Sequence, residues 1–228
     1  MSKVAIIQSN YIPWKGYFHI IKSVDHFVFL DSVNYTHRDW RNRNRIKTPQ
    51  GTIWLTVPVH AHHHKPINQA VLADKRWQRN HPLTLRQYYG KCPYFDKYYP
   101  LLEKLYQRDW EKLSDLNQIF TKEIAQMLDI KTQFHQDREF ITSLDKSRRL
   151  LDIVTKLGAD TYVTGPSASA YLNEDIYQKA GVKVEYFQYP QYPAYEQFWG
   201  DFVSDVSVLD LLFHQGHESG KFIWGVEL

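Results

Sequence analysis

Lys3-Val4-Ala5-Ile6-Ile7, then Gln8-Ser9-Asn10-Tyr11-Ile12-Pro13-Trp14-Lys15-Gly16, then Tyr17-Phe18-His19-Ile20-Ile21-Lys22-Ser23-Val24, and after Asp25 the run His26-Phe27-Val28-Phe29-Leu30 together decide the fold. Lys3 to Ile7 reads as a short buried strand, and the polar stretch holding Pro13 and Gly16 reads as a loop. Tyr17 to Val24 has apolar residues at helical spacing, and His26 to Leu30 is a second strand. Strand, loop, helix, strand is a βαβ unit, whose right-handed crossover makes its two strands parallel.

Outward from this unit, Ile53 to Val59 follows the turn residues Pro49-Gln50-Gly51 and reads as a third strand, bent or stopped at Pro58. The middle of the chain is helical. Leu83 to Tyr89 begins after Pro82, which suits a first turn, and Phe95 to Tyr106 carries a kink or break at Pro100. Ser114 suits the N-cap of a run through Leu116, Ile119, Ile124, Met127 and Leu128. The last third alternates: helix from Asp145 to Leu157 closed by Gly158, strand from Thr161 to Thr164, helix from Asp175 to Lys179 closed by Gly181, strand from Val182 to Phe187, and a final helix from Ser207 to Phe213. The expected fold class is α/β: a mostly parallel, layered, Rossmann-like sheet in a single domain spanning 1–228, with residues 74–133 as a helical insertion or lid.

Composition narrows the function. A chain of 228 residues with 43% hydrophobic content buries one sizeable core. The net charge is only +3 and the basic residues are dispersed, so nucleic acid is not expected as the main partner. One cysteine, Cys92, excludes an intramolecular disulfide and a cysteine metal cage, and fits a reducing compartment. No secretory leader precedes the first strand and no apolar run reaches the roughly 20 residues of a membrane span, so a cytoplasmic location is expected. Aromatic residues reach 15%, with 16 Tyr and 7 Trp, an excess that suits a lined pocket or partner surface as well as a Tyr-rich core.

The first loop lies at the carboxyl end of a parallel strand, where open α/β sheets bind ligands. Gln8, Asn10 and Tyr11 offer hydrogen bonds there, Trp14 offers a stacking face, and Gly16 allows close backbone approach; the spacing is not that of a dinucleotide fingerprint. A turn whose Trp14 plugs the sheet edge fits the same residues. After the second strand come Asp31-Ser32-Val33-Asn34-Tyr35 and Arg38-Asp39-Trp40-Arg41-Asn42-Arg43-Asn44-Arg45. Four arginines in eight positions supply guanidinium forks for phosphate or carboxylate, although such a run is also what a solvated, ion-paired loop looks like. Asp31 at a strand end, and His81 in Trp77-x-x-x-His81, are the candidates for proton transfer. A packed core histidine is the plainer reading of His81. The run His60-Ala61-His62-His63-His64 lacks helical zinc spacing and reads as a surface loop, so no metal site is assigned. Gly165 and Ser167, in the small-residue stretch after the Thr161 strand, suit a backbone anion nest or simply a tight strand exit. The loop from Tyr189 to Gln197, with Tyr192 and Gln197, suits an aromatic rim over a ligand or packing across the sheet edge.

These segments together resemble the WbqC-like protein family. The resemblance rests on Ile7-Gln8 with Tyr11-Ile12-Pro13-Trp14 and Gly16-Tyr17-Phe18, on Asp31-x-Val33-x-Tyr35, and on Trp40-Arg41-Asn42-Arg43-Asn44-Arg45-Ile46. It continues through Trp54-Leu55-Thr56-Val57-Pro58-Val59, Leu157-Gly158-Ala159-Asp160-Thr161-Tyr162, Tyr171-Leu172 and Ser207-Val208-Leu209-Asp210-Leu211-Leu212-Phe213. Two loops depart from the family pattern: Gln8-Ser9 stands where Gln-Pro is common, and Tyr192-Pro193-Ala194-Tyr195 where His-Pro-x-Tyr is common. The resemblance implies a bacterial protein associated with surface-polysaccharide, particularly O-antigen (lipopolysaccharide), biosynthesis, acting near nucleotide-linked amino sugars.

The leading expectation is a transferase that places an acyl or aminoacyl group on the amine of a nucleotide-linked deoxyamino sugar. Its partners would be that sugar nucleotide and an acyl or aminoacyl donor. Arg38, Arg43 and Arg45 would hold phosphate or carboxylate, Trp14 and Tyr35 would stack on base or sugar, and Asp31 or His81 would take the amine proton. Gln8, Asn10, Tyr11, Trp40, Asn44, Gly165, Ser167, Tyr192 and Gln197 complete the expected binding set. Two alternatives stand beside it. Pro13-Trp14-Lys15-Gly16-Tyr17-Phe18-His19 is distantly similar to the nucleotide-binding superfamily of adenylyltransferases and ATP-dependent amide ligases, without their paired-histidine signature. A non-catalytic sugar-nucleotide binding protein fits as well. The residues identify no cofactor and leave homo-oligomerisation open.

Overall fold

The computed structural model describes residues 2–60, 65–143, 145–170 and 172–225, with only the backbone of Lys146 and Ser147. The histidines His62, His63 and His64, and Tyr171, lie outside the described residues. Strand β1 (Lys3–Ile7) leads through helix α1 (Lys15–Lys22) to strand β2 (His26–Phe29), parallel to β1 in the register Val4↔His26 to Ile7↔Phe29. A hairpin follows, β3 (Arg43–Thr48) and β4 (Gly51–Thr56), turning at Gly51 with φ of 105°, a conformation that favours glycine. Helices α2 (Arg76–Tyr89), α3 (Phe95–Tyr106) and α4 (Leu113–Met127) come next, then strand β5 (Gln133–Gln136). Helix α5 (Lys146–Lys156), strand β6 (Thr161–Thr164), helix α6 (Glu174–Lys179), strand β7 (Lys183–Tyr186) and helix α7 (Val208–Gln215) complete the order.

The main sheet runs β5-β2-β1-β6-β7 and every pairing in it is parallel. From β1 the chain moves outward to β2 and β5, then returns to β6 on the other side of β1. This reversal makes a topological switch point between the carboxyl ends of β1 and β6. Gln8 follows the first of those ends and Gly165 the second. Period-two alternation sorts the side chains of the sheet: Ala5, Phe27, Phe29 and Val163 join one core with α1, the middle helices and α7. Val4, Ile6, Val28 and Tyr162 join another with Ile153 and Val154 of α5 and Tyr177 of α6. The fold is therefore α/β with helices on both faces of a parallel sheet.

Four local expectations are corrected. Pro82 lies inside α2, which begins six residues before it at Arg76; the aromatic face carrying Trp77, His81, Leu85 and Tyr89 is buried, and that burial outweighs the missing backbone hydrogen bond. Ser114 does not cap α4. The N-cap is Lys112, and the Ser114 hydroxyl turns to Asp115 instead, at 3.5 Å. The segment Arg38 to Arg45 is only half a loop, because Arg43 onward pairs with β4. That hairpin is a separate two-stranded sheet, so the strand expected at Ile53 does not join the parallel one. Strand β5, at the edge beside β2, has no apolar run to announce it.

Candidate functional site

Every part of the first loop is held by something distant in sequence. The Tyr11 N–H donates to the Trp40 carbonyl at 3.0 Å. The buried Asn44 side chain donates to the carbonyls of Tyr11 at 3.2 Å and Ile12 at 2.9 Å. At the loop's far end, Val208 N–H donates to the Pro13 carbonyl at 2.9 Å, and Ser207 N–H to that of Arg45 at 2.8 Å. These ties hold Ile12 at φ of 36°, a strained value for a β-branched residue. Loop 8–14, strand β3 and the start of α7 therefore form one fixed unit above the switch point.

Arg41 is the polar centre of that unit. Its guanidinium donates to the side-chain oxygens of both Gln8 and Asn10, and the Arg41 carbonyl accepts from Asn117 Nδ2 at 2.8 Å. Arg41 Nε is buried and finds no hydrogen-bond partner among the described residues, and the same holds for Nε of Arg43 and Arg45. Arg41 is one of the four arginines expected to supply guanidinium forks, but the phosphate-holding role fell to Arg38, Arg43 and Arg45.

Trp14 divides two openings. On one side a cleft of about 310 Å³ is lined by Asn10, Pro13, Trp14, Trp40, Asn44 and Asp205. On the other a larger hollow of about 600 Å³ runs beneath Tyr189, Tyr192 and Phe202. The Trp14 ring stands edge-on to Tyr192 at 5.8 Å and tilted to Tyr189 at 5.3 Å. Gly16 makes room for that indole: a Cβ there would lie 2.3 Å from the Trp14 ring. Asp205, in the cleft wall, pairs with the Arg45 guanidinium while its side chain stays 59% exposed.

The two expected proton-transfer residues lie elsewhere. Asp31 is 1% exposed. One of its oxygens accepts from Ser9 N–H at 3.0 Å and the other from Gln118 Nε2 at 2.8 Å. Burial raises its pKa, opposed by those two hydrogen bonds. His81 is buried, with Nδ1 2.8 Å from the Tyr11 hydroxyl, which in turn lies 2.7 Å from that of Tyr106. Burial pushes the imidazole down to about 4, so at neutral pH it is an uncharged member of an internal chain. Neither residue lines the cleft beside Trp14 or the hollow beyond it.

Of the remaining expected residues, Trp40 and Asn10 reach the cleft with Trp14 and Asn44. Tyr35 is buried, its hydroxyl raised to about 12 by burial, so its ring offers no stacking face. Arg38 sits in the left-handed region at φ of 56° and its carbonyl accepts from Arg43. Gln197 is turned inward: its amide donates to Asp210 at 2.8 Å and Val203 at 3.0 Å, and its oxygen accepts from Lys47 at 3.2 Å. Tyr192 lines the larger hollow, with its hydroxyl 3.1 Å from His19 Nδ1. Gly165 and Ser167, on the other side of the switch point, line neither opening.

Three features escaped the sequence reading. Lys15, in the first turn of α1, is 2% exposed, and its ammonium has no hydrogen-bond partner among the described residues. It sits instead 5.0–5.3 Å from the ring centres of Phe202, Tyr192 and Tyr195, and burial lowers its pKa to about 8. Asp210, fully buried beside this cage, accepts from Tyr89 at 2.8 Å and Tyr195 at 2.7 Å. Trp54 on β4 stands beside Trp40 on the outside of the hairpin. Asp210 and Lys15 both lie in stretches that the family resemblance or the nucleotide-binding likeness quotes, but their roles depend on residues far along the chain. The alternation of Arg43, Arg45 and Lys47 across the strand could have marked the hairpin face.

No helix among the described residues is long and apolar enough to cross a membrane. No solved structure matches the chain. It is similar to the uncharacterized protein Rv1507c of Mycobacterium tuberculosis, at 38% identity over 226 residues, which is 98% of each chain. The model of the WbqC-like protein family matches residues 8–222, from the Gln8 that Arg41 holds to the last turn beyond α7. With the loop, the hairpin and the α7 start all inside that match, the chain belongs to the WbqC-like protein family.

Proposed function

We propose that the protein is a bacterial cytoplasmic transferase that places an acyl or aminoacyl group on the amine of a nucleotide-linked deoxyamino sugar, in surface-polysaccharide (O-antigen) biosynthesis. The observation that carries this reading is the cleft beside Trp14, where two indoles and a carboxylate face one small space. Aromatic walls suit the apolar face of a sugar ring, and Asn10 offers its amide to a hydroxyl. Asp205, fixed by Arg45, is the cleft's carboxylate and stands in for Asp31 and His81 as acceptor of the amine proton. In the reaction the amine nitrogen bonds to the donor's carbonyl carbon, the carbon–oxygen or carbon–sulfur bond of the donor breaks, and the amine proton passes by way of Asp205 to the leaving group.

Incubation with a nucleotide-linked deoxyamino sugar and a panel of acyl and aminoacyl donors, read by mass, tests the proposal. A product heavier by one acyl group is expected, with formation cut about 100-fold or more in Asp205→Asn. No added mass across the panel, with the sugar nucleotide still bound, overturns the transfer. It would favour the non-catalytic binding reading, which the enclosure of Asp31 and His81 also supports.

A further inference from the structure

Trp54 of the β3–β4 hairpin and Trp40, just before it, form an exposed aromatic pair on the hairpin's outer face. Trp40 is 43% and Trp54 42% exposed, with ring centres 5.4 Å apart and planes tilted by 43°, so the two indoles open as a shallow V. Strand register explains the arrangement. Arg45 pairs directly with Trp54, and Arg43 lies two residues along on the same face, while Asn44, Ile46 and Leu55 point into the protein. The Arg43 guanidinium lies 4.2 Å over the Trp54 ring, and that of Arg45 lies 5.6 Å from Trp54 and 5.8 Å from Trp40. Leaving two large apolar rings in water is costly for a monomeric surface, and placing two cations against them gives a face that prefers a flat, electron-rich, anionic partner.

Trp40 belongs to this face and also to the wall of the Trp14 cleft. The cleft holds about 310 Å³, at the bottom of the roughly 300–1,000 Å³ range of small-molecule sites. A single sugar ring suits that space. A nucleoside diphosphate attached to it must lie outside, and the hairpin face is continuous with the cleft at Trp40.

We propose that the Trp40–Trp54 face binds the nucleoside diphosphate half of the ligand, the base stacking on Trp54 and the phosphates meeting Arg43 and Arg45, while the attached sugar enters the Trp14 cleft. This deepens the transferase reading and rests on it for the identity of the sugar. Arg43 brings the positive charge to the phosphates, and Arg45, shared with Asp205, adds a second set of guanidinium donors. A nucleic-acid strand would call for a longer basic track than a chain of net charge +3 presents here.

Calorimetric titration of the intact protein with UDP, dTDP and GDP, each alone, tests this without any donor or turnover. At least one should bind, Trp54→Ala should weaken it about tenfold or more, and Trp54→Phe should fall between the two, as stacking requires. Arg43→Gln should weaken binding and flatten its dependence on salt. The urea midpoint of each variant, measured alongside, separates lost binding from lost fold, and Trp54→Phe keeps most of the packing that Trp54 makes with Trp40 and Arg43. The proposal is overturned if none of the three nucleotides binds at millimolar concentration, or if Trp54→Ala leaves affinity unchanged. A short single-stranded RNA that binds more tightly than the nucleotides, with a steep salt dependence and the same reliance on Trp54, would also overturn it by giving the face to RNA. Nucleotide binding without acyl transfer would leave this assignment standing and defeat only the transferase reading.

Discussion

Asp31 and Lys15 are both buried around the same loop, and they are accommodated in opposite ways. The Asp31 carboxylate meets directed donors, Ser9 N–H at 3.0 Å and Gln118 Nε2 at 2.8 Å. The Lys15 ammonium meets three ring faces and no hydrogen-bond acceptor among the described residues. The carboxylate of Asp210 attracts it through space only, and the oxygens of Asp210 are taken by Tyr89, Tyr195 and Gln197. The buried charge at the beginning of the loop is thus fixed by bond direction, and the one at its end by shape and ring electrostatics, beside the backbone bond from Val208 to Pro13. Directional contacts from Arg41 hold Gln8 and the cleft residue Asn10 in place; the aromatic cage holds Trp14 and the loop around Tyr192 together.

The largest effect is expected at the polar end of the loop. Asp31→Ala leaves the Ser9 N–H and the Gln118 amide buried without their acceptor, and should cost about 2–4 kcal/mol, read as a lower urea midpoint. Asp31→Asn keeps the size and one acceptor oxygen and should cost less. Burial raises the Asp31 pKa, so folding favours its protonated form. Its stabilising contribution is therefore greatest below the ordinary carboxylate value of 3.8 and is lost as pH rises through the folded value, the reverse of a salt-bridged aspartate. The asparagine variant should lack that component. An alanine variant with an unchanged midpoint would show that Asp31 does not hold Ser9.

The same contrast explains what could be read in advance. Four of the five parallel strands, all but β5, and their helices were legible because their signals are local: Val4 to Ile7, Thr161 to Thr164, and the glycines at 158 and 181, whose positive φ ends a helix. The position of the loop at a strand's carboxyl end was legible for the same reason. What the residues do there was not. Asp31 has the sequence appearance of an accessible base, yet it is sealed by Gln118, 87 positions away. Strand β3 was hidden because Arg43, Asn44, Arg45 and Lys47 are poor strand formers, kept in the hairpin by contacts that only folding supplies: Asn44 to the loop, and Lys47 to the Asp201 carbonyl at 2.6 Å. Lys15 reads as part of the loop before the helix, whereas it begins α1. Nothing near it in sequence shows that Tyr192, Tyr195 and Phe202 close over it.

A smaller effect is expected between the two ends, at Gly16. Adding a Cβ there brings it to 2.3–2.7 Å from three atoms of the Trp14 indole, so Gly16→Ala must turn Trp14 away from its place between the cleft and the hollow. A loss of about 1–2 kcal/mol is expected, with weaker binding of the sugar nucleotide than of the free nucleotide, because the sugar end of the site is the part displaced. Equal loss for both ligands would mean that Trp14 also supports the hairpin face, and would merge two regions that the geometry keeps apart.

The smallest and most selective test is at the aromatic end. Burial lowers the Lys15 pKa from 10.5 to about 8, and its position in the first turn of a helix adds an unfavourable dipole for a cation. Between those two values the unfolded chain binds the proton more firmly than the folded one, so stability attributable to Lys15 rises with pH from about 8 to 10.5 and is lost as pH falls through 8. Lys15→Met fills similar space with an uncharged side chain that packs well against rings. Subtracting the variant's stability from that of the parent cancels the other lysines and tyrosines. The difference should move in the parent's favour by on the order of 1 kcal/mol across that window. A flat difference would mean that water reaches the ammonium within the cage, and the division of the loop into a hydrogen-bonded end and a dry aromatic end would then fail at Lys15.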